Sequence, residues 1–124
     1  MRPRLNVWIE DEGEVILTLW RVRLLETVQR TGSINAAAKQ MGIQFRTAWA
    51  KIHEMEERLG FPLVESQVGG AGGGGTRLTP EGEQLVLQFR ELVDGLPQML
   101  EERFNRIFAA SPLTPGSSPP RDST

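Results

Sequence analysis

Near the start of the chain Leu5, Val7 and Ile9 alternate with Asn6, Trp8 and Glu10, and a second apolar run, residues 15–17, follows Asp11-Glu12-Gly13. A period of two around a glycine turn predicts an N-terminal β-hairpin. From Thr18 the period lengthens. Trp20, Leu24, Leu25 and Val28 recur at three- and four-residue steps, which predicts a first helix ended by Gly32. Ser33 is a good N-cap for a short second helix, Ile34–Met41, with Ile34, Ala37, Ala38 and Met41 along one face. Gly42-Ile43 is a tight connection to a longer third helix, in which Phe45, Ala48, Trp49, Ile52, Met55 and Leu59 face one way until Gly60 and Pro62 stop it. Two helices joined by a short glycine-containing turn, with alanines where they meet, have helix-turn-helix spacing.

The remainder of the chain extends that pattern. Residues 63–68 and Thr76-Arg77-Leu78 read as two strands joined by the glycine-rich segment 69–75, a wing. Thr79 as N-cap, Pro80 at the first helical position, and Glu81 and Glu83 at the positive helix end open a long last helix. Leu85, Val86, Phe89, Leu92, Val93, Leu96, Leu100, Phe104 and Ile107 form its apolar stripe, with a kink expected at Gly95 and Pro97. Residues 110–124 hold four Pro, four Ser, two Thr and one Gly, and read as a disordered tail after a single domain over 1–109. The fold class expected is mainly α with small β: a winged helix-turn-helix carrying an N-terminal hairpin and a long C-terminal dimerisation helix.

Charge gives this frame a direction. The whole chain has 14 Lys and Arg against 16 Asp and Glu, so a uniformly cationic coat is excluded. Residues 27–53, however, contain Arg30, Lys39, Arg46 and Lys51 and no carboxylate, while residues 81–124 hold four Arg against seven acids. The helix pair is the basic end. Arg46, Thr47, Ala50 and Lys51 lie opposite Phe45, Trp49 and Ile52, where a recognition helix places side chains that reach base edges and phosphates. Gln44, a weak N-cap, has an amide suited to a base or phosphate, and Arg77 at the base of the wing is read as a backbone or minor-groove contact. Phe45 and Trp49 are read as core.

Other chemistry finds little to work with. There is no cysteine and His53 is the single histidine, so thiolate and histidine-cluster metal sites are excluded and no cofactor or metal is expected. The glycines Gly70, Gly72 and Gly75 match G-x-G-x-x-G by default, but a strand pattern follows where a dinucleotide fingerprint requires a helix. Glu54, Glu56 and Glu57 read as a solvated cluster, and no nucleophile–base pair stands out, so no enzyme is expected. Apolar runs are far shorter than a membrane span and the N-terminus lacks a signal-peptide pattern, which gives a cytoplasmic expectation with no membrane partner.

The segments Gly32-Ser33-Ile34-Asn35-Ala36-Ala37-Ala38, Gly42-Ile43, Ala48-Trp49, and Val68-Gly69-Gly70-Ala71-Gly72-Gly73-Gly74-Gly75 leading to Leu78-Thr79-Pro80 together resemble the N-terminal DNA-binding domain of the ModE family of molybdate-responsive transcription regulators. The similarity runs over residues 5–96, with the wing its most specific part; LysR-type regulators look similar at the helix-turn-helix. The resemblance implies dimerisation through the first and last helices, with Leu85, Phe89, Leu92, Val93, Leu96 and Leu100 as interface residues. It implies double-stranded DNA as partner, met by Ser33, Gln44, Arg46, Thr47, Ala50, Lys51 and Arg77 and by a wing of Gly69, Gly70, Gly72, Gly73, Gly74 and Gly75. The family pattern has Lys where this chain has Ala71. Full-length members also carry a C-terminal molybdate-binding region for which 124 residues leave no room, so operator binding independent of molybdate is expected. Two other readings stay open: a module that pairs with a longer ModE-like protein, and a glycine-rich anion nest that binds molybdate directly.

Overall fold

Glu12 and Gly13, at φ of 50° and 78°, turn the chain between strand β1 (Trp8–Asp11) and strand β2 (Glu14–Thr18) of an antiparallel hairpin. The computed structural model describes residues 1–68 and 75–113, so the expectations for Gly69, Gly70, Gly72, Gly73, Gly74 and most of the tail lie outside the described residues. The first strand is shorter than the alternation predicts and buries neither face: Trp8 is 47% exposed, and the pairing register shifts between Ile9 and Glu10. The second strand supplies the buried Ile16 and Leu17.

Thr18 ends β2 and caps helix α1 (Leu19–Thr31), its hydroxyl accepting from the Arg21 amide at 3.1 Å. Gly32, left-handed at φ 84°, closes that helix as expected. Helix α2 (Ile34–Met41) and helix α3 (Phe45–Leu59) follow. Strands β3 (Val64–Gln67) and β4 (Gly75–Leu78) pair antiparallel, and helix α4 (Pro80–Val93) comes next. Val22, Leu24, Leu25 and Val28 of α1 are fully buried, as are Ala48, Ile52 and Met55 of α3 and, just before β3, Leu63. Each large apolar side chain removed from water in this way contributes about 1.5–3 kcal/mol before entropy is counted.

The start of α4 is fixed by Thr79, which is 3% exposed. Its hydroxyl accepts from the Gly82 amide at 3.0 Å and donates to the Pro62 carbonyl at 2.8 Å, while its own amide donates to the Leu63 carbonyl at 2.9 Å. Here the helix runs so close to the Leu63 backbone that a Cβ on Gly82 would collide with the Leu63 carbonyl oxygen, so residue 82 has to be glycine.

The single kinked helix expected after Thr79 is in fact two helices. Gly95 takes the left-handed conformation at φ 77° and separates α4 from helix α5 (Leu96–Phe108), which carries Pro97 in its first turn. A left-handed residue interrupts the helical hydrogen-bond series outright, whereas proline alone would only bend it. Contacts divide the chain into two compact units, Val7–Leu92 and a second made of Met1–Asn6 with the residues from Val93 onward. Within the second unit α5 buries no residue, and Phe104 stacks on Phe108 with ring centroids 4.8 Å apart.

Candidate nucleic-acid interface

Ser33 builds the entry to the helix pair. Its hydroxyl accepts from the Ala36 amide at 2.9 Å, fixing the first turn of α2 as the N-cap pattern predicts. Ile34, Ala37 and Ala38 form the buried face of α2, which packs against α1 and α3. Gly42, left-handed at φ 69°, then reverses the chain, and the Ile43 amide returns to the Ala38 carbonyl at 3.0 Å. The result is a tight helix-turn-helix in which α3 buries one narrow row, Ala48, Ile52 and Met55.

The face of α3 away from that row carries the candidate contacts. Gln44, Arg46, Thr47 and Ala50 are exposed and Lys51 is half-buried, with exposed Lys39 on α2 and exposed Arg30 on α1 completing the carboxylate-free stretch. Gln44 precedes α3 without a side-chain capping hydrogen bond, as its residue type suggested.

Phe45 and Trp49 correct the sequence reading. They are 48% and 46% exposed, whereas Ala48, Ile52 and Met55 are completely buried. Each helical residue advances about 100° around the axis, so Trp49 lies well to one side of Ala48, at the margin of a stripe that three smaller residues already fill. Both rings line an open groove of about 430 Å³, together with Ser33, Asn35, His53 and Thr76. His53 stacks on Trp49 with centroids 3.7 Å apart and planes 21° from parallel. Because a carbonyl only accepts, the 2.8 Å contact of His53 Nδ1 with the Trp49 oxygen places the proton on Nδ1.

The base of the wing is tied to the C-terminal end of α1. The Thr76 amide donates to the Gly32 carbonyl at 2.7 Å and the Leu78 amide to Gln29 Oε1 at 3.0 Å. A Cβ on Gly75 would lie 2.6 Å from the Gly32 oxygen, so this described glycine of the wing is required by close approach. Arg77 stands opposite Glu65 in the β3–β4 register, and its Nε donates to Glu65 Oε1 at 2.8 Å. Its charge is thus already engaged across the ladder, on a surface where both side chains remain exposed.

The acids Glu54 and Glu56 are structural and not merely solvated. Glu54 accepts from the guanidinium of Arg21 at 2.5 Å and lies 3.3 Å from Arg58, and Arg58 also meets Glu14 at 2.9 Å and the Val15 carbonyl. Arg21 is 8% exposed and donates as well to the Ile16 carbonyl at 3.1 Å, so the group pins the hairpin to α3. Glu56 accepts from the amides of Leu63 and Val64 at 2.7 and 3.2 Å, just where α3 gives way to β3. Nothing in the spacing of these residues announced such long-range partners. Among the described residues no group of three His, Cys, Asp or Glu side chains has metal-site geometry, and no helix is long and apolar enough to cross a membrane.

The residues proposed for dimerisation fall into two kinds. Phe89 is 1% exposed and packs inside the protomer, whereas Leu92 is 53% exposed; Leu85, Val93, Leu96 and Leu100 are intermediate.

A capped α2, a glycine turn, an α3 with one narrow buried row and a two-stranded wing define a winged helix-turn-helix. The chain belongs to the lysR family of bacterial regulatory helix-turn-helix proteins, whose profile matches residues 19–83. It is 40% identical over 90 residues to the molybdenum transport protein ModE of Azotobacter vinelandii, covering 70% of this chain and 33% of that protein. It is 36% identical over 104 residues to the DNA-binding transcriptional dual regulator ModE of Escherichia coli, covering 76% and 38%. The molybdenum-pterin-binding protein MopB of Rhodobacter capsulatus is 40% identical over 80 residues, covering 64% and 30%. The chain therefore spans about a third of the length of the curated relatives it matches. Among solved structures, the BenM DNA-binding domain in complex with benA site 1 DNA matches with a TM-score of 0.55 at 24% identity, covering 77% of this chain and 99% of that one. The CbnR DNA-binding domain–DNA complex matches with a TM-score of 0.51 at 21% identity, covering 74% and 95%. These two likenesses establish the fold.

Proposed function

We propose that the protein is a DNA-binding transcription regulator of the ModE type, linked to molybdate metabolism, that meets a pseudo-palindromic operator as a dimer. The observation that carries this reading is the solvent face of α3: Gln44, Arg46, Thr47 and Ala50 are exposed, Lys51 is half-buried, and the surrounding stretch 27–53 has four cations and no acid. The first turns of α3, which precede the anchors at Glu54, Glu56 and Arg58, have most of their circumference available to enter a major groove, and their basic side chains then replace counterions on the phosphates. Ser33, at the amino end of α2, and Arg77, at the base of the wing, are assigned to phosphate or minor-groove contact; Arg77 exchanges Glu65 for a phosphate when it does so. Dimerisation is assigned to α1 and to the apolar residues of α4 and α5, with Leu92 as a principal contact because it is left half-exposed.

Arg46→Ala and Lys51→Ala test the reading, because neither residue is buried and the fold should survive both. A contact to a guanine edge costs about 1–3 kcal/mol on removal and relaxes specificity at one base pair, whereas a phosphate contact weakens all sequences alike. Gel-shift titration against a duplex enriched from a random library should show at least one of these losses. Unchanged affinity in both variants would remove α3 from the interface.

A further inference from the structure

We infer that Phe45 and Trp49 form an apolar reading surface for thymine methyl groups in the major groove; this inference rests on the DNA-binding reading above. Phe45 is the first residue of α3, and Trp49 follows one turn later. The amino-terminal turns of a recognition helix are the part that reaches base edges. Both rings are nearly half exposed although the buried row of the same helix is complete without them, so the core does not account for two large apolar side chains here. Their setting selects the occupant. The groove they line opens between the helix pair and the wing, beside Ser33 and Thr76, and Arg46, three residues before Trp49, is the neighbouring cation on the helix surface. An apolar protein segment would need no such neighbouring cation, whereas a duplex supplies a phosphate for it and one apolar group in its major groove, the C5 methyl of thymine.

The side chains are also held ready. A bond from His53 to the Trp49 backbone carbonyl positions the imidazole, which stacks on the indole and covers one of its faces before any ligand arrives. A pre-ordered ring loses little rotamer freedom on contact, so most of the gain from covering a methyl group is kept. Of the two acids that line the groove, Glu56 is held by the amides of Leu63 and Val64, and Glu65 faces Arg77 in the free protein.

The experiment begins with selection of a binding duplex from a random library by the full chain. Each thymine of that duplex is then replaced singly by deoxyuridine, which deletes the methyl and leaves every hydrogen-bonding edge intact. At one or more positions the wild-type protein should lose about fourfold in affinity, the equivalent of one buried methyl group. Trp49→Ala and Phe45→Ala should bind the thymine duplex more weakly and no longer distinguish it from the deoxyuridine duplex at the position each ring covers, with unchanged circular dichroism. Phe45→Leu, still apolar, should retain part of the discrimination. If a sequence is enriched but the wild type binds every deoxyuridine duplex as it binds thymine, the aromatic reading surface is wrong and DNA binding stands. If the variants keep full thymine discrimination, the rings are likewise not the readers. If no sequence is enriched and no duplex is bound, the DNA-binding reading itself fails.

Discussion

Glu54 holds two guanidinium groups at once, the buried Arg21 and the more exposed Arg58, and the two arginines also take up carbonyl oxygens of β2. Removing its carboxylate leaves the Arg21 charge inside the protein with only backbone oxygens to face. Breaking a fully buried pair from one side costs about 3–5 kcal/mol. The Glu54 side chain is 35% exposed, and water will screen part of that loss, so we expect Glu54→Ala to cost about 2 kcal/mol. Urea denaturation measures it, and a change within about 0.5 kcal/mol, the range of an ordinary surface substitution, would contradict the structural role. Replacing Arg21 and Glu54 together by Met and Leu should cost less than the single change, since no charge is then left unpaired. At this scale the sequence was least informative: acids at positions 54, 56 and 57 look alike in one dimension, and only the fold decides which meet Arg21 or the amides of Leu63 and Val64 and which stays in water.

Among elements, the joins carry more information than the interiors. Ser33, Gly42, Gly60 and Thr79 stand where capping chemistry places them, because a cap is a local bargain between one side chain, or one left-handed residue, and the adjacent turn. The misread elements depend on what lies across the fold. Phe45 and Trp49 share the helical period of the buried row, but the space beneath α3 is filled by Ala48, Ile52 and Met55, so periodicity alone assigns the wrong side. The hairpin shows the same failure for β1, whose alternation implies a buried face although all four of its residues are exposed. Two substitutions separate the effects. Ser33→Ala should cost about 1 kcal/mol, the usual value of an N-cap, because the Ala36 amide loses its acceptor while nothing else moves. Gly82→Ala should cost more, since the new Cβ collides with backbone that cannot turn aside as a side chain does. Thermal unfolding of the pair checks the order, and a Gly82→Ala variant as stable as wild type would show that α4 does not press on Leu63 as described.

On the scale of the whole molecule, a surface of mixed charge still exposes Leu19, Leu87 and Leu92, the last two at 69% and 53%. Scattered single leucines need no explanation, but leucines on the helices assigned to dimerisation do. The double change Leu87→Glu with Leu92→Glu should therefore yield a monomer by light scattering at micromolar concentration and weaken operator binding, because a pseudo-palindrome is grasped by two copies. A wild-type monomer at that concentration would end the dimer proposal. The bond from the Thr76 amide to the Gly32 carbonyl acts at this scale too. It rivets the strand of the wing to the corner from which α2 departs, and Gly75 lets the two backbones lie too close to slide. A protein so braced is a calliper with a locked joint. On the DNA-binding reading proposed above, a duplex whose groove is slightly too wide or too narrow should itself take up the misfit, and sequences that bend readily should gain an advantage at base pairs that no side chain touches.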